Sequence, residues 1–240
     1  MRWRVSIGAW IFGATSEASR AARTMSSVDR RYRFLYKPLV FTACLVPLLW
    51  AVGGVLAGAG LLHLPVPGLG ADPVRRVLGI FGKTTLNLLG ITLCVSPLRV
   101  LTGNAQLLRL RRMLGLFAFS YALLHFLVYI GPFQGFDWSA IGKELGKRPY
   151  IMVGFSALLI LSALAATSTH RMQRRLKRNW QRLHRLVYLA AILGVWHYGW
   201  QVKKDLREPL LYAAGLAVLL GWRLWNQRRL NTQRGTRRQP

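Results

Sequence analysis

Apolar residues in this chain come in long runs and not in the one-sided spacing of a soluble amphipathic helix. Six runs stand out, at 39–62, 78–98, 113–131, 150–166, 186–202 and 209–225. A helix crossing a bilayer needs about 20 largely apolar residues, so the pattern predicts a transmembrane helix at each run. The fourth and sixth runs are short. Little is left over to build a soluble domain. The expected fold class is therefore all-α, a six-transmembrane-helix bundle over 38–225. A basic extension, 1–37, precedes it and a basic tail, 226–240, follows.

Charge orients the bundle. The 240 residues include 34 Lys and Arg against 7 Asp and Glu, a formal charge of +27. Six spans put both termini on one side, and the segments on that side are 1–37, 99–112, 167–185 and 223–240. They hold 25 of the 34 basic residues, with only Glu17 and Asp29 acidic. Short basic loops stay cytoplasmic, so both termini are expected in the cytoplasm. The surplus charge then serves topology and attraction to anionic lipid. Nucleic acid is excluded as a partner, because the basic segments flank spans and carry no nucleic-acid motif.

Along the chain, MRWRVSIGAWIFGA has the look of a short signal peptide, but its apolar part is brief and no clear cleavage pattern follows. The plainer expectation is a basic tail, or a true start at Met25. The first run carries Pro47 and a GxxxG, Gly54 and Gly58, a pattern that lets a neighbouring helix come close. The loop HLPVPGLGADP is turn-rich, and its His63 is expected to be solvated. Lys83, Thr84, Thr85 and Asn87 sit toward the outer end of the second run. There Lys83 either faces the bundle or snorkels to the interface. SAIGKELG, between the third and fourth runs, is expected to form a short interfacial helix. Cys44 and Cys94 stand singly, with no CxxC or CxxCH, so covalent haem and thiol redox motifs are absent.

The histidines carry the chemistry. An imidazole in an apolar run must find a hydrogen bond, a charge or a metal. His125 lies 12 residues past Met113, about 18 Å in from the cytoplasmic end, and His197 lies 11 past Leu186, roughly 17 Å in. Two imidazoles at matched depth on neighbouring helices suit the two axial positions of one b-type haem. Filling both positions leaves no open iron site and favours electron transfer. The bland reading of each is a core histidine hydrogen-bonded to another helix. His184 is 13 residues before His197, about 20 Å along a helix, and cannot share their iron. It suits a second, inner haem, with His170 as the one other histidine on that side. Otherwise it is an interfacial, hydrogen-bonded residue. Arg111 and Arg112 occupy the corresponding places before His125.

RRMLGLFAFSYALLHF, KELGKRPY, TSTHRMQRRL and WQRLHRLVYLAAILGVWHY, with GLGADP and TTLNLL, resemble the MsrQ/YedZ family. The likeness runs over about residues 36–225. That family provides the haem-binding membrane subunit of the bacterial periplasmic protein-methionine-sulfoxide reductase system, within the ferric-reductase-like transmembrane group. The resemblance implies an inner-membrane protein that passes electrons from the quinone pool or a cytosolic flavin reductase. They would go through haem b to a periplasmic molybdopterin subunit, MsrP, which repairs oxidised methionine. It places His125, His184 and His197 on the family's histidine positions, as axial ligands of haem iron. It also implies an FMN, for which no motif is recognisable in the residues. Distant relatives carry two histidines on the third span, where this chain has one, so one haem is expected and a second is open. They also carry a cytosolic FAD and nicotinamide domain that this chain lacks, so its donor must be separate.

Two other functions compete. One is a histidine-dependent transporter or proton channel without haem. Transporters tend to show internal repeats and acidic or broken-helix sites, whereas no Asp or Glu lies inside any run and no repeat is visible. The other is a scaffold that only anchors a partner. An absorption spectrum separates both from an electron carrier.

Overall fold

The computed structural model describes residues 32–61, 69–202 and 205–236; the expectations for 1–31, for Met25 and for His63 fall outside the described residues. Those residues are helical with no strand. The helices are α1 (Lys37–Gly58), α2 (Pro73–Thr102), α3 (Leu107–Val128), α4 (Trp138–Lys147), α5 (Pro149–Ala166), α6 (His170–His184), α7 (Leu186–Gln201) and α8 (Arg207–Thr236). A helix thus stands at each of the six apolar runs. Among the described residues four stretches are both long and apolar enough to cross a membrane: Phe34–Gly58, Pro73–Thr102, Leu107–Phe133 and Pro149–Ala166. α7 is only 16 residues long, and α8 carries several arginines.

The chain divides into two compact units, 1–44 and 45–240. The described part of the first is a π-helical turn, Tyr32–Tyr36, and the start of α1. In the second, α2 packs along α3 and α5 along α7; α3 touches α5, and α8 lies against α7 and α2. α2 is the core helix, since half of its apolar window is buried, against about a fifth in α5. Elsewhere large apolar side chains face outward, Leu211 at 73% exposed and Val218 at 70%. A surface this apolar needs a partner that water is not, and in a chain with these helices that partner is lipid.

Local signals fix the ends. Asp72 accepts the Arg75 N–H ahead of Pro73 at the first turn of α2. Gly103, at φ 67°, closes its far end in the left-handed conformation and donates to Arg99 O. The short connection to α3 makes an antiparallel hairpin. Asp137 caps α4, the expected interfacial helix, by accepting from Ala140 N–H. Pro47 interrupts the α1 ladder, and the next N–H, of Leu48, donates to the hydroxyl of Tyr121 at 3.1 Å. Tyr121 is 2% exposed. Backbone polar groups freed in a membrane helix need such a partner.

Two expectations change, and the open choice at Lys83 is resolved. The GxxxG of α1 does not seat a helix among the described residues: nothing approaches Gly58, and Gly54 faces the Leu69 side chain. His184 and His197 do not lie along one straight helix. α6 ends at His184, α7 begins at Leu186, and Lys177 at φ 46° already breaks α6. Lys83 does not snorkel alone. Its ammonium pairs with the Glu208 carboxylate, which also accepts from the Tyr198 hydroxyl, while Tyr212 donates to Asn87. These contacts tie α2, α7 and α8 together at one end.

Candidate functional site

α3 and α7 bring two histidines together. The rings of His125 and His197 lie 6.2 Å apart, centre to centre, at 89° to each other. Each ring is held by a helix beside its own. The Nδ1–H of His125 donates to Leu78 O on α2 at 2.9 Å, and that of His197 donates to Tyr150 O on α5 at 2.7 Å. A carbonyl can only accept, so Nδ1 carries the proton in both rings. That makes Nε2 the lone-pair nitrogen of each neutral imidazole. Metal-binding histidines are set up in this way, with the second N–H on a carbonyl that fixes tautomer and orientation. Two metal–imidazole bonds of about 2 Å, plus roughly 1 Å from nitrogen to ring centre on each side, put two ring centres about 6 Å apart. The pair therefore offers two lone-pair nitrogens at a ring spacing compatible with one shared metal. Among the described residues no group of three or more His, Cys, Asp or Glu gathers to hold an ion with protein ligands alone.

The two seats repeat. Both histidines lie 47 residues after the carbonyl they bind. One turn along from each carbonyl is a glycine, Gly82 under His125 and Gly154 under His197. Seven residues before each histidine is an alanine, Ala118 and Ala190, both 0% exposed. So α2–α3 and α5–α7 are two copies of one arrangement, 72 residues apart along the chain. This corrects the expectation of no internal repeat. The carbonyls and glycines escaped the sequence reading because neither has a side chain to announce it. The readable signal was the equal spacing of Gly82 to His125 and Gly154 to His197.

His184 is elsewhere and differently held. Its ring stacks on Trp180, 4.1 Å centre to centre. Trp180 in turn donates its indole N–H to Thr167 O at 3.0 Å. The Thr167 hydroxyl donates to Ala163 O at 2.7 Å, so toward His184 Nε2, 3.3 Å away, it accepts. Burial, and then the positive charge of Arg111, hold this imidazole below its ordinary pKa. His170 begins α6 on the exposed surface. The structure thus gathers His125 and His197 and keeps His184 and His170 out of their pair.

These features define an all-helical membrane protein with a paired-histidine centre inside a repeated two-helix frame. The family described as "Ferric reductase like transmembrane component" matches residues 78–195, which contain the α2–α3 seat and most of the second. Over 171 residues, 71% of this chain and 77% of the relative, it is 54% identical to the protein-methionine-sulfoxide reductase heme-binding subunit MsrQ of Xanthomonas campestris pv. campestris strain 8004. Proteins of the same name in Xanthomonas euvesicatoria pv. vesicatoria strain 85-10 and Azospira oryzae are 48% and 51% identical. Those matches span 84% and 72% of this chain, and 90% and 75% of the relatives. The chain belongs to the MsrQ family.

Proposed function

We propose that this chain is a membrane electron carrier in which His125 and His197 are the axial ligands of one b-type haem. The observation that carries this reading is the pair itself: two neutral imidazoles, each with Nδ1–H on a carbonyl, at the spacing of two ligands on one metal. The names of the relatives, as heme-binding subunits, support it. Haem, when bound, supplies a one-electron iron couple. The chain supplies both ligands, fixes their tautomer, and encloses them among apolar helices.

Six crossings with both termini cytoplasmic fit the basic residues, with α7 and α8 as the fifth and sixth spans. At 1.5 Å per residue α7 is about 24 Å long, short for a span, and the stacked Trp196 and Trp200 at its end suit the membrane–water boundary. The paired histidines then lie toward the periplasmic side of a bacterial inner membrane, and His184 toward the cytoplasm. The partner that fits is the periplasmic catalytic subunit, MsrP. Reducing one methionine sulfoxide takes two electrons and two protons and releases water, so a one-electron carrier delivers twice per turnover. The donor is the quinone pool or a cytosolic flavin reductase. FMN rests on the family resemblance alone.

One haem fits better than two. At the position equivalent to His184 the repeat has Arg112, so the inner end lacks a second facing imidazole. His184 then serves the cytoplasmic face, as a contact for the donor or a structural group. The test is an absorption spectrum of the purified protein with its haem-to-protein ratio, followed by electron delivery to the catalytic subunit. A low-spin spectrum at one haem per chain is expected. A ratio of two restores the inner haem. No haem at all, with proton movement in vesicles, replaces the reading with a transporter.

A further inference from the structure

We propose that Gly82 and Gly154 are positioning residues that hold the two axial imidazoles at right angles, each by leaving its ring room to sit on a backbone carbonyl. The inference rests on the haem reading and concerns what orients its ligands. A Cβ built on Gly154 would lie 2.7 Å from His197 Nδ1 and 2.8 Å from its Cε1. One on Gly82 would lie 3.1 Å from His125 Cε1 and 3.2 Å from Nδ1. Each glycine is four residues past the carbonyl that its histidine binds, and so sits on the same helix face as that carbonyl. A methyl group there pushes the ring off the oxygen. The Nδ1–H bond lengthens, and the ring rotates about its Cα–Cβ bond.

Rotation matters because of the 89° between the rings. Held on one iron, two imidazoles at right angles would act equally on its two d orbitals of π symmetry toward the rings. The orbitals stay nearly equal in energy, and the ferric paramagnetic resonance is strongly anisotropic. Turning one ring toward the other splits them and moves the low-field feature inward. Loss of the carbonyl bond also makes the ligand less basic, which favours ferrous iron and raises the midpoint potential.

The experiment uses the full chain purified in detergent, as wild type and as Gly154→Ala, Gly82→Ala, Gly79→Ala and Gly90→Ala. Nothing lies within 4 Å of a Cβ at Gly79 or Gly90, so those two are matched α2 controls. Haem-to-protein ratio, ferric paramagnetic resonance and midpoint potential are read for each. Gly154→Ala should move the low-field feature inward and raise the potential. Gly82→Ala should do the same to a smaller extent, and the controls should match wild type. Wild-type resonance and potential in Gly154→Ala overturn the proposal. If Gly154→Ala does not accumulate, Gly82→Ala decides by the same criterion. Equal shifts in the controls overturn it as well, since they trace to helix propensity. A wild-type protein without haem refutes the haem reading instead. Nitrogen chemical shifts of the histidines then still judge the glycines: Gly154→Ala should lower the Nδ1–H population of His197, and an unchanged population sinks the seat.

Discussion

His197 and His184 are thirteen residues apart on consecutive helices, and the protein presents opposite faces of the two rings. His197 gives Nδ1–H to the Tyr150 carbonyl and keeps its lone pair on Nε2, the nitrogen farther from the backbone. His184 gives Nε2–H to the Thr167 hydroxyl, which leaves the lone pair on Nδ1, close to its own helix. The same side chain is therefore ready for a metal at one place and spent on a structural bond at the other. What decides is the oxygen that each ring meets. A bare carbonyl beside a glycine admits the ring edge-on, while a threonine at the end of α5 takes the ring tip. Residue identity is the same at the two sites, although α6 around His184 is basic and polar and α7 around His197 is apolar.

The largest effect should come from breaking the metal-ready side. His125→Ala or His197→Ala should remove most of the bound haem, because under the proposed ligation each variant loses one of the two iron ligands. His184→Ala should leave both the haem-to-protein ratio and the low-spin spectrum intact. Parallel purification of the three variants, with spectra at equal protein, checks this. A low-spin spectrum at full occupancy in His197→Ala would end the pairing, and a halved ratio in His184→Ala would give the inner site its own haem.

A second change separates the ring from its frame. Tyr121 lies one turn before His125 and accepts the Leu48 N–H beside Pro47. Tyr121→Phe strands that part-buried donor, at a cost of about 1 kcal/mol. Thermal unfolding in detergent should show the loss, while the haem spectrum stays as in wild type. A shifted spectrum would mean that the α1 contact helps to set the His125 ring.

Much of this was legible in the sequence, and the boundary has a physical cause. A helix at each apolar run showed because lipid demands long apolar runs, although among the described residues only four stretches are long and apolar enough to cross a membrane. His125 and His197 showed because an imidazole is costly in such runs, and equal depth could be counted. The repeat was missed because its parts are a carbonyl, a glycine and an alanine, which have little or no side-chain chemistry. The choice at Lys83 between the bundle and the interface stayed open because Glu208, its partner, lies 125 residues later, past a boundary that hydropathy places only to within a few residues. His184 was legible as polar and inward, but not its tautomer, which depends on which oxygen Thr167 presents.

Thr167→Val sharpens the comparison from the other side. It removes the acceptor for His184 Nε2–H while the Thr167 carbonyl still binds Trp180. The expected loss is about 1 kcal/mol, that of one ordinary hydrogen bond, read as a lower midpoint of thermal unfolding. Haem content should be unchanged. A gain of haem would show that the bond to Thr167 is all that keeps this histidine from binding iron.

The smallest effect is one of pH, and it concerns His184. Burial and the Arg111 charge hold its folded pKa below the ordinary 6.5. The unfolded chain therefore binds the proton first as pH falls, and stability follows the difference in bound protons. His184 costs nothing well above pH 6.5, where both states are neutral. Between 6.5 and the lower folded value each step down in pH favours unfolding, and below the folded value the loss levels off. Protonation also puts a cation beside Arg111 and onto the Trp180 face. Stacking offsets part of that repulsion, so the slope should be shallow. Unfolding midpoints measured from pH 7.5 to pH 5 should fall more in wild type than in His184→Gln, which keeps a donor for Thr167 but cannot titrate. Equal slopes in the two proteins would show that His184 is not what senses pH at this end.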